Sequence, residues 1–328
     1  MRKVKGWPLA GLLILLVMCL FVGWVERAQT QEKYPIRTID IIVPFSPGGS
    51  TDLSSRIAGA YLSKKWGVSV NVVNKPGGNT VPAGLEVYKA PADGYTLLAE
   101  ANGTSSMLPL VVKNLPFQVM ERSFVAIFLL TPFVMIVPSA SPYKTLEDVI
   151  VEAKKDPEHF TWTSLGGAST HDATLRQFFK AIGVDVSRTK PIMSQGASQA
   201  TNLTAGGHVK LGGGSTSGVL PAFKSGMVRP LGITGKTRHP DFPDVPTFEE
   251  LGYPAVNVII WNGLSGPPKL PSYIIGTWDK ALQEMIKDQE AISKLRNIGS
   301  TPFYLNAGET KGLIMKETKE MENLFGLK

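Results

Sequence analysis

The stretch IIVPFSPGGSTDLSSRIAGAYL, residues 41–62, decides the fold of this chain. A short β-branched run breaks at Pro44, passes a Pro-Gly-Gly turn, and leads through Ser-Thr-Asp into a segment with helical spacing. One interpretation is a capped helix, with Ser50 or Thr51 as N-cap and Asp52 in the first turn. The other is an anion site at the helix N-terminus. We favour the anion site, because the two preceding glycines exceed what capping needs and let a ligand approach the N–H groups.

The N-terminal residues 1–32 are set apart from the fold. Arg2, Lys3 and Lys5 precede an apolar run, Leu9–Val25, and this pattern is typical of an export signal. The cleavage region is poor in small residues, so an uncleaved membrane anchor is the alternative. Either form predicts that the protein is exported to a periplasmic or other extracytoplasmic location.

Composition excludes several classes of function for residues 33–328. The chain is long enough for two domains, and its one cysteine, Cys19, lies in the apolar run. The remainder therefore has no disulfide, thiol nucleophile or thiolate metal ligand. The formal net charge is +7, but no dense basic run is present, so we expect no nucleic-acid partner. We expect a monomer.

Strand-like and helix-like segments alternate after Tyr34, which predicts an α/β fold with mostly parallel sheets. Such sheets bind ligands at the carboxyl ends of their strands. Those ends are rich in glycine, serine, threonine and asparagine, and the loops fall into two groups, before about residue 110 and after about residue 160. Two groups of polar loops indicate two lobes that face one cleft. The loops read SPGGSTD, KPGGN, ANGTSS, SLGGAST, MSQGAS and GGGSTSG.

No catalytic or metal-binding motif is complete. The segment Gly232–Thr237, GITGKT, has Pro230 where a P-loop needs its first glycine. The segment Gly214–Gly218, GSTSG, has Thr216 at its centre, where a nucleophile elbow needs serine. Four histidines are scattered without metal-ligand spacing. We therefore expect no enzyme, no metal and no cofactor. The histidines are His159, His171, His208 and His239.

A secreted serine hydrolase is the alternative from another functional class. Ser169, His171 and Asp172 stand together at the start of a helix, where a catalytic triad could be sketched. Adjacency along a helix start does not supply triad geometry, which depends on tertiary structure. We favour a capping and packing cluster at this position.

Four segments carry a resemblance to a known family. They are YPIRTIDIIVPFSPGGSTDLSSRIAGAYLSKKWG, APADGYTLL, HPDFPDVPTFEELGYP and WNGL. Together they closely resemble the Bug family, the extracytoplasmic solute receptors of tripartite tricarboxylate transporters, over nearly all of the chain from Tyr34 onward. The resemblance implies a type II periplasmic-binding-protein fold, with two α/β lobes around a ligand cleft, a two-crossover hinge and no catalysis. It also implies a small carboxylate ligand and a membrane permease as partner.

The resemblance further implies domain boundaries and ligand-binding residues. Lobe 1 is expected at 33–135 and 257–328, and lobe 2 at 136–256. The expected ligand-binding residues lie in strand-end loops of both lobes: Phe45, Ser46, Pro47, Gly48, Gly49, Ser50, Thr51, Asp52, Asn102, Gly103, Thr104, Ser164, Gly167, Ala168, Ser169, Thr170, Ser194, Gln195, Gly196, Ala197 and Ser215.

Three departures from the family pattern concern the cleft. Gly214 stands where an aspartate is usual, residues 193–196 read MSQG in place of Tyr-Lys-Gly-Gly, and Thr80 and Val81 replace a Gly-Asn pair. We expect a cleft with less charge than is typical. An α-amino group would lack an anionic partner there, so we predict a carboxylate without an amino group.

Overall fold

Strands and helices alternate along the chain, as the sequence pattern predicts. The computed structural model describes residues 34–325, and the segment 1–32, predicted to be a signal or an anchor, lies outside the described residues. From Arg37 onward the chain clusters into a single unit. Within the described range, no helix has both the length and the apolar character needed to span a membrane.

The strands are short, and most of their side chains are buried. In chain order they are β1 Ile39–Val43, β2 Val70–Asn74, β3 Thr96–Ala101, β4 Arg122–Thr131, β5 Phe133–Pro138, β6 Thr161–Ser164, β7 Lys190–Met193, β8 Gly212–Ser215, β9 Val228–Ile233, β10 Ile260–Pro268 and β11 Thr301–Asn306.

The helices connect these strands and cover the sheets. In chain order they are α1 Ser50–Trp66, α2 Val81–Lys89, α3 Leu108–Val111, α4 Leu146–Lys155, α5 Thr170–Ala181, α6 Ala197–Ala205, α7 Thr216–Lys224, α8 Ser272–Met285, α9 Gln289–Asn297 and α10 Ala307–Glu322.

Local sequence signals set several helix ends. Thr145 is the N-cap of α4, as its sequence pattern predicts, and its hydroxyl accepts a hydrogen bond from the N–H of Asp148 at 3.2 Å. The Asp148 carboxylate accepts from the N–H of Thr145 at 2.8 Å, which completes a capping box. Helix α1 ends at Gly67, whose φ of 70° lies in the left-handed region that glycine adopts without strain.

The strands form three sheets, and each sheet takes its strands from particular stretches of the described chain. A six-stranded sheet, in the order β11-β4-β10-β3-β1-β2, takes its strands from residues 39–131 and 260–306. A three-stranded sheet, β8-β5-β9, and a two-stranded sheet, β6-β7, take theirs from residues 133–233. The chain passes between these groups at Pro132, directly after β4, and again between β9 and β10.

The prediction of mostly parallel sheets is wrong. Within the described residues, β1 is parallel to β2 and β3, and β6 is parallel to β7, whereas the other five strand pairings are antiparallel. For β10 the antiparallel pairing follows from the direction in which the chain returns to the six-stranded sheet. Strand β10 begins at the edge where β3 ends, because Asn262 pairs with Ala101. A strand that enters a sheet at the edge where its neighbour ends must run antiparallel to it.

Aromatic side chains fill the core beneath the three-stranded and two-stranded sheets. Phe160, Trp162, Phe178 and Phe179 are fully or almost fully buried and pack together with Phe133 of β5. Burial of each such side chain contributes about 2–3 kcal/mol relative to exposure. This core fixes β6 and α5, whose connecting loop forms part of the site described next.

Candidate ligand-binding site

No side chain of the loop after β1 caps the first turn of α1. Gly49 is the N-cap residue, with φ of −82°, so the less favoured interpretation, in which Ser50 or Thr51 caps the helix, does not hold. The N–H of Ser50 instead donates to Ser215 Oγ at 3.2 Å, a contact between residues 165 positions apart. The N–H groups in the first turn of a helix have no acceptor within the helix. Here no side chain next to the turn in sequence acts as a cap for them.

Asp52 is buried in this first turn and holds the loop in place. Its carboxylate accepts hydrogen bonds from the N–H of Gly48 at 3.0 Å and from Asn74 Nδ2 at 2.8 Å. Arg56, one helical turn later, forms an ion pair with it at 2.9 Å. The carboxylate is therefore occupied by groups of the chain itself.

The loop after β3 packs tightly against the loop after β6. Gly103 lies where a Cβ would collide with the carbonyl oxygen of Ala168, so only glycine permits this approach. Thr170 Oγ1 donates to Asn102 Oδ1 at 3.1 Å across the same contact. Thr104 faces away from it, since its hydroxyl bonds to Glu100 and to the backbone of Ala101. These contacts join the two groups of loops that the sequence singles out.

Ser169 is the N-cap of α5, and Asp172 organises the loop around it. The hydroxyl of Ser169 accepts from the N–H of Asp172 at 3.0 Å and donates to its carboxylate at 2.6 Å. The same carboxylate accepts from the N–H of Leu165 at 2.8 Å and from the hydroxyl of Ser164. This confirms the predicted capping cluster.

His171 is buried beside the cap and packs edge-on against Phe133, with ring centroids 5.3 Å apart. Its Nε2 lies 2.7 Å from the carbonyl oxygen of Thr163. Burial lowers the pKa of this imidazole, which favours the neutral form. No hydrogen bond joins His171 to Ser169 among the described residues, whereas a hydrolase needs one between nucleophile and base. The serine hydrolase alternative is therefore not supported.

The loops after β7 and β8 complete the arrangement. The N–H of Ser46 donates to the carbonyl oxygen of Gln195 at 2.9 Å. A Cβ on Gly196 would lie only 3.1 Å from the N of Ser46, so glycine permits this approach too. Ser215 caps α7 by accepting from the N–H of Gly218 at 3.4 Å.

These loops enclose a cavity of about 60 Å³ at the first turn of α1. Among residues 34–325, no lysine or arginine lines it. Ten of the residues that the sequence predicts for ligand binding line the cavity: Phe45, Gly49, Ser50, Thr51, Asp52, Gly103, Ser169, Thr170, Ala197 and Ser215. A larger groove of about 1000 Å³ shares Phe45 and Leu165 with the cavity and leads to the surface. We call these two spaces the cavity and the groove.

The other predicted residues lie beside the cavity. Ser164, Gly167, Ser194 and Gln195 line the groove, together with Phe45. The remaining seven line neither space, and several of them shape the loops through the contacts given above. They are Ser46, Pro47, Gly48, Asn102, Thr104, Ala168 and Gly196.

Sequence reasoning missed six residues that line the cavity. Ala101, Phe133, Leu165 and Ile260 are apolar, so no polar signal pointed to them. Gly214 lines it as well, at a departure from the family pattern, and so does His171, which the sequence places in a cap or a triad. The nearness of His171 to the predicted loop 164–170 is the signal that could have placed it in the site.

Comparisons with known proteins identify a family for this chain. The model of the family described as tripartite tricarboxylate transporter family receptor (TctC) matches residues 55–326. The chain is 29% identical to the protein BugT of Bordetella pertussis, over 93% of this chain and 94% of the relative. It is 32% identical to a Cupriavidus necator protein described as "UPF0065 protein in gbd 5'region", over 85% and 84% of the two chains.

Solved structures share the fold. A periplasmic transporter is 28% identical and superposes with a TM-score of 0.83, covering 89% of this chain and 97% of its own. An R. palustris protein solved with adipate is 25% identical, with a TM-score of 0.84 and the same coverage. These likenesses confirm the predicted two-lobe α/β periplasmic-binding-protein fold.

Proposed function

The chain belongs to the tripartite tricarboxylate transporter receptor family, and we propose that it captures a small organic carboxylate outside the cytoplasm and delivers it to a membrane permease. The observation that carries this proposal is the cavity at the uncapped first turn of α1. A site for a carboxylate needs donors that face inward and little competing negative charge. Among the described residues, the only carboxylate that lines the cavity belongs to Asp52, and groups of the chain itself already bind it.

The physical basis is hydrogen bonding and partial charge in place of a full cation. The N-terminus of a helix carries about half a positive charge, and its free N–H groups point outward. Hydrogen bonds from N–H and hydroxyl groups to a carboxylate are stronger than those between neutral groups. Ser50 and Thr51 supply hydroxyls at the cavity, whereas the hydroxyls of Ser169 and Thr170 already donate to Asp172 and Asn102. The R. palustris relative, solved with adipate, supports a carboxylate as the class of ligand.

We further propose that the two lobes are residues 33–135 with 257–328, and residues 136–256. Support comes from the sheets, because the six-stranded sheet uses no strand from within 136–256. The segments between β4 and β5 and between β9 and β10 would then form the hinge. Hinge closure around a ligand is a common motion of periplasmic binding proteins.

The proposed partner is the permease of a tripartite tricarboxylate transporter, and the proposed location is the periplasm or another extracytoplasmic compartment. The basic and apolar N-terminal segment supports export. The proposed role is binding and delivery by a monomer, without catalysis.

A thermal-shift screen tests this function. The purified protein is melted with mono-, di- and tricarboxylates, and with the corresponding uncharged amides as matched controls. A ligand that binds only the native state raises the melting temperature by mass action. We expect at least one carboxylate to raise it in a saturable manner and its amide to leave it unchanged. If no carboxylate stabilises the protein, or if the amides do so equally, the proposed function is wrong.

A further inference from the structure

The last turn of α10 reaches from the proposed lobe 1 to the proposed lobe 2. Helix α10 is fixed to lobe 1, where Thr318 Oγ1 donates to the carbonyl oxygen of Ser106 at 3.1 Å. One turn later, Met321 is buried in an apolar cluster that it shares with Ala173 of α5, in lobe 2. Phe325, just beyond the helix, packs against the same cluster. The end of α10 therefore contacts both lobes.

A cation on α5 meets the aromatic ring at the end of this segment. Arg176 follows Ala173 by three residues on α5, so the two side chains lie on the same face of the helix. The guanidinium carbon of Arg176 lies 5.4 Å from the centroid of the Phe325 ring. This distance is within the range at which a guanidinium is attracted to the face of an aromatic ring.

No carboxylate competes with the ring for the charge of Arg176. In the described part of the chain Arg176 forms no ion pair, whereas Arg188 and Arg238 of the same lobe do. The carboxylate one helical turn before it, Asp172, accepts hydrogen bonds from Ser169 and the loop before α5. The Nε of Arg176 is buried without a hydrogen-bond partner. A cation that lacks a carboxylate partner and is partly removed from water is held more strongly by a ring.

The contact lies in the wall of the groove between the proposed lobes. Arg176 and Phe325 both line the groove, which has Val111 of lobe 1 and Leu165 of lobe 2 in its wall as well. A hinge rotation that widens the groove moves α5 away from the end of α10. The contact is then made only in the closed arrangement, and an interaction that is present in one state alone shifts the equilibrium towards that state.

We propose that Arg176 and Phe325 form a latch between the two lobes, which stabilises the closed arrangement before any ligand binds. Both are positioning residues. They set the fraction of molecules that is closed, and through that fraction the affinity for every ligand that needs the closed form. This inference rests on the proposed lobes and goes beyond the proposed function, because the latch itself needs no ligand.

Distances between spin labels, measured by electron paramagnetic resonance, test the latch without ligand. The labels are attached at two exposed positions, Lys89→Cys in lobe 1 and Lys190→Cys in lobe 2, after Cys19→Ser has removed the native thiol. We expect the ligand-free protein to show a population with a short distance between the labels. The ratio of this population to the open one should fall about three- to tenfold in Phe325→Leu and in Arg176→Gln.

Matched variants show whether the ring and the charge act on each other. Phe325→Tyr keeps the ring and should keep the short-distance population. The double variant Phe325→Leu with Arg176→Gln should lose no more than either single variant, because each one removes the same contact.

Two further substitutions serve as controls within lobe 2. The ring of Phe223 stacks on Phe242 at 5.1 Å, and Arg188 pairs with Glu158 at 3.0 Å, so neither side chain contacts lobe 1 through these partners. Phe223→Leu and Arg188→Gln should therefore leave the distances unchanged.

Calorimetry separates a latch from direct contact with a ligand. For each carboxylate that stabilises the protein in the thermal-shift screen, the affinity should fall by the same factor in Phe325→Leu and in Arg176→Gln. A factor that depends on the length of the carboxylate would show that Arg176 binds the ligand in the groove, and this result overturns the latch.

The outcomes separate this inference from the proposed function. Equal distance distributions in the wild type and both single variants, or additive losses in the double variant, overturn the latch. If Phe325→Leu does not fold, Arg176→Gln decides alone, since its side chain is only half-buried. A protein that binds no carboxylate overturns the proposed function, and the spin-label distances still decide the latch.

Discussion

Two adjacent glycines in the loop before α1 have different roles. Gly48 has φ of +91°, and a Cβ there would lie 2.6 Å from Ser198 Oγ, so the turn itself requires glycine. Gly49 has φ of −82°, which any residue adopts, and a Cβ there would lie 3.7 Å from that of Ala197. Because Gly49 lines the cavity and Gly48 does not, only Gly49 can be changed to block the ligand without straining the backbone.

We expect Gly49→Val to weaken carboxylate binding by about 1–3 kcal/mol, because its side chain overpacks the approach to the first turn of α1. Calorimetry measures the loss, and thermal melting shows that the fold is retained. Gly276→Val is the matched control, since a Cβ at Gly276 has no neighbour within 4 Å and lies on α8, away from the cavity. Unchanged affinity in Gly49→Val would show that the loop serves only to start the helix.

Gly214 replaces the acidic residue that is usual in the family, and the structure gives it a packing role as well. A Cβ there would lie 3.0 Å from that of Ala197, so an aspartate needs additional space. We therefore expect Gly214→Asp combined with Ala197→Gly to weaken binding of a carboxylate by about 1 kcal/mol or more, through repulsion of like charges. Gly214→Asn with Ala197→Gly is the uncharged control. Equal affinities of the two double variants, measured by calorimetry, would contradict the charge argument.

At the scale of elements, α10 holds the loop after β3 in position. Glu317 accepts hydrogen bonds from Asn102 Nδ2 at 3.0 Å and from Trp261 Nε1 at 2.9 Å. Asn102 Oδ1 in turn accepts from Thr170 across the contact between the loops. Desolvation by burial raises the pKa of Glu317, with the hydrogen bonds opposing it. A helix at the end of the chain thereby fixes one of the loops that touch the cavity.

The raised pKa predicts a pH dependence of stability. A carboxyl group that binds its proton more tightly in the folded state contributes stability below its unfolded pKa, near 4.5, and this contribution is lost as pH rises through the folded pKa. We therefore expect the unfolding free energy of the wild type, relative to Glu317→Gln, to fall as pH rises from about 4.5. Urea unfolding at several pH values measures it. A flat or rising difference for Glu317→Gln would refute the prediction.

At the scale of the whole molecule, the sequence predicts those structural features that depend on residues close together along the chain. The order of elements and the Thr145 cap are local features, and the structure confirms them. Some of the polar loop residues that the sequence singles out line the cavity. The contact between the N–H of Ser50 and Ser215, which lie far apart in sequence, could not be predicted from local pattern. Strand directions were predicted wrongly because they depend on where the chain re-enters a sheet. Ile260 lines the cavity without any polar signal.

The central claim is that two groups of loops close around a carboxylate, and small-angle X-ray scattering of the wild-type protein tests it most directly. In the described structure the loops are in contact, as Ser46 with Gln195 and Thr170 with Asn102 show. A ligand that is desolvated between the two groups of loops stabilises this closed arrangement. We expect the radius of gyration to fall when a saturating carboxylate from the thermal-shift screen is added, and to stay constant with its uncharged amide. Identical scattering curves with and without the bound carboxylate would contradict the account.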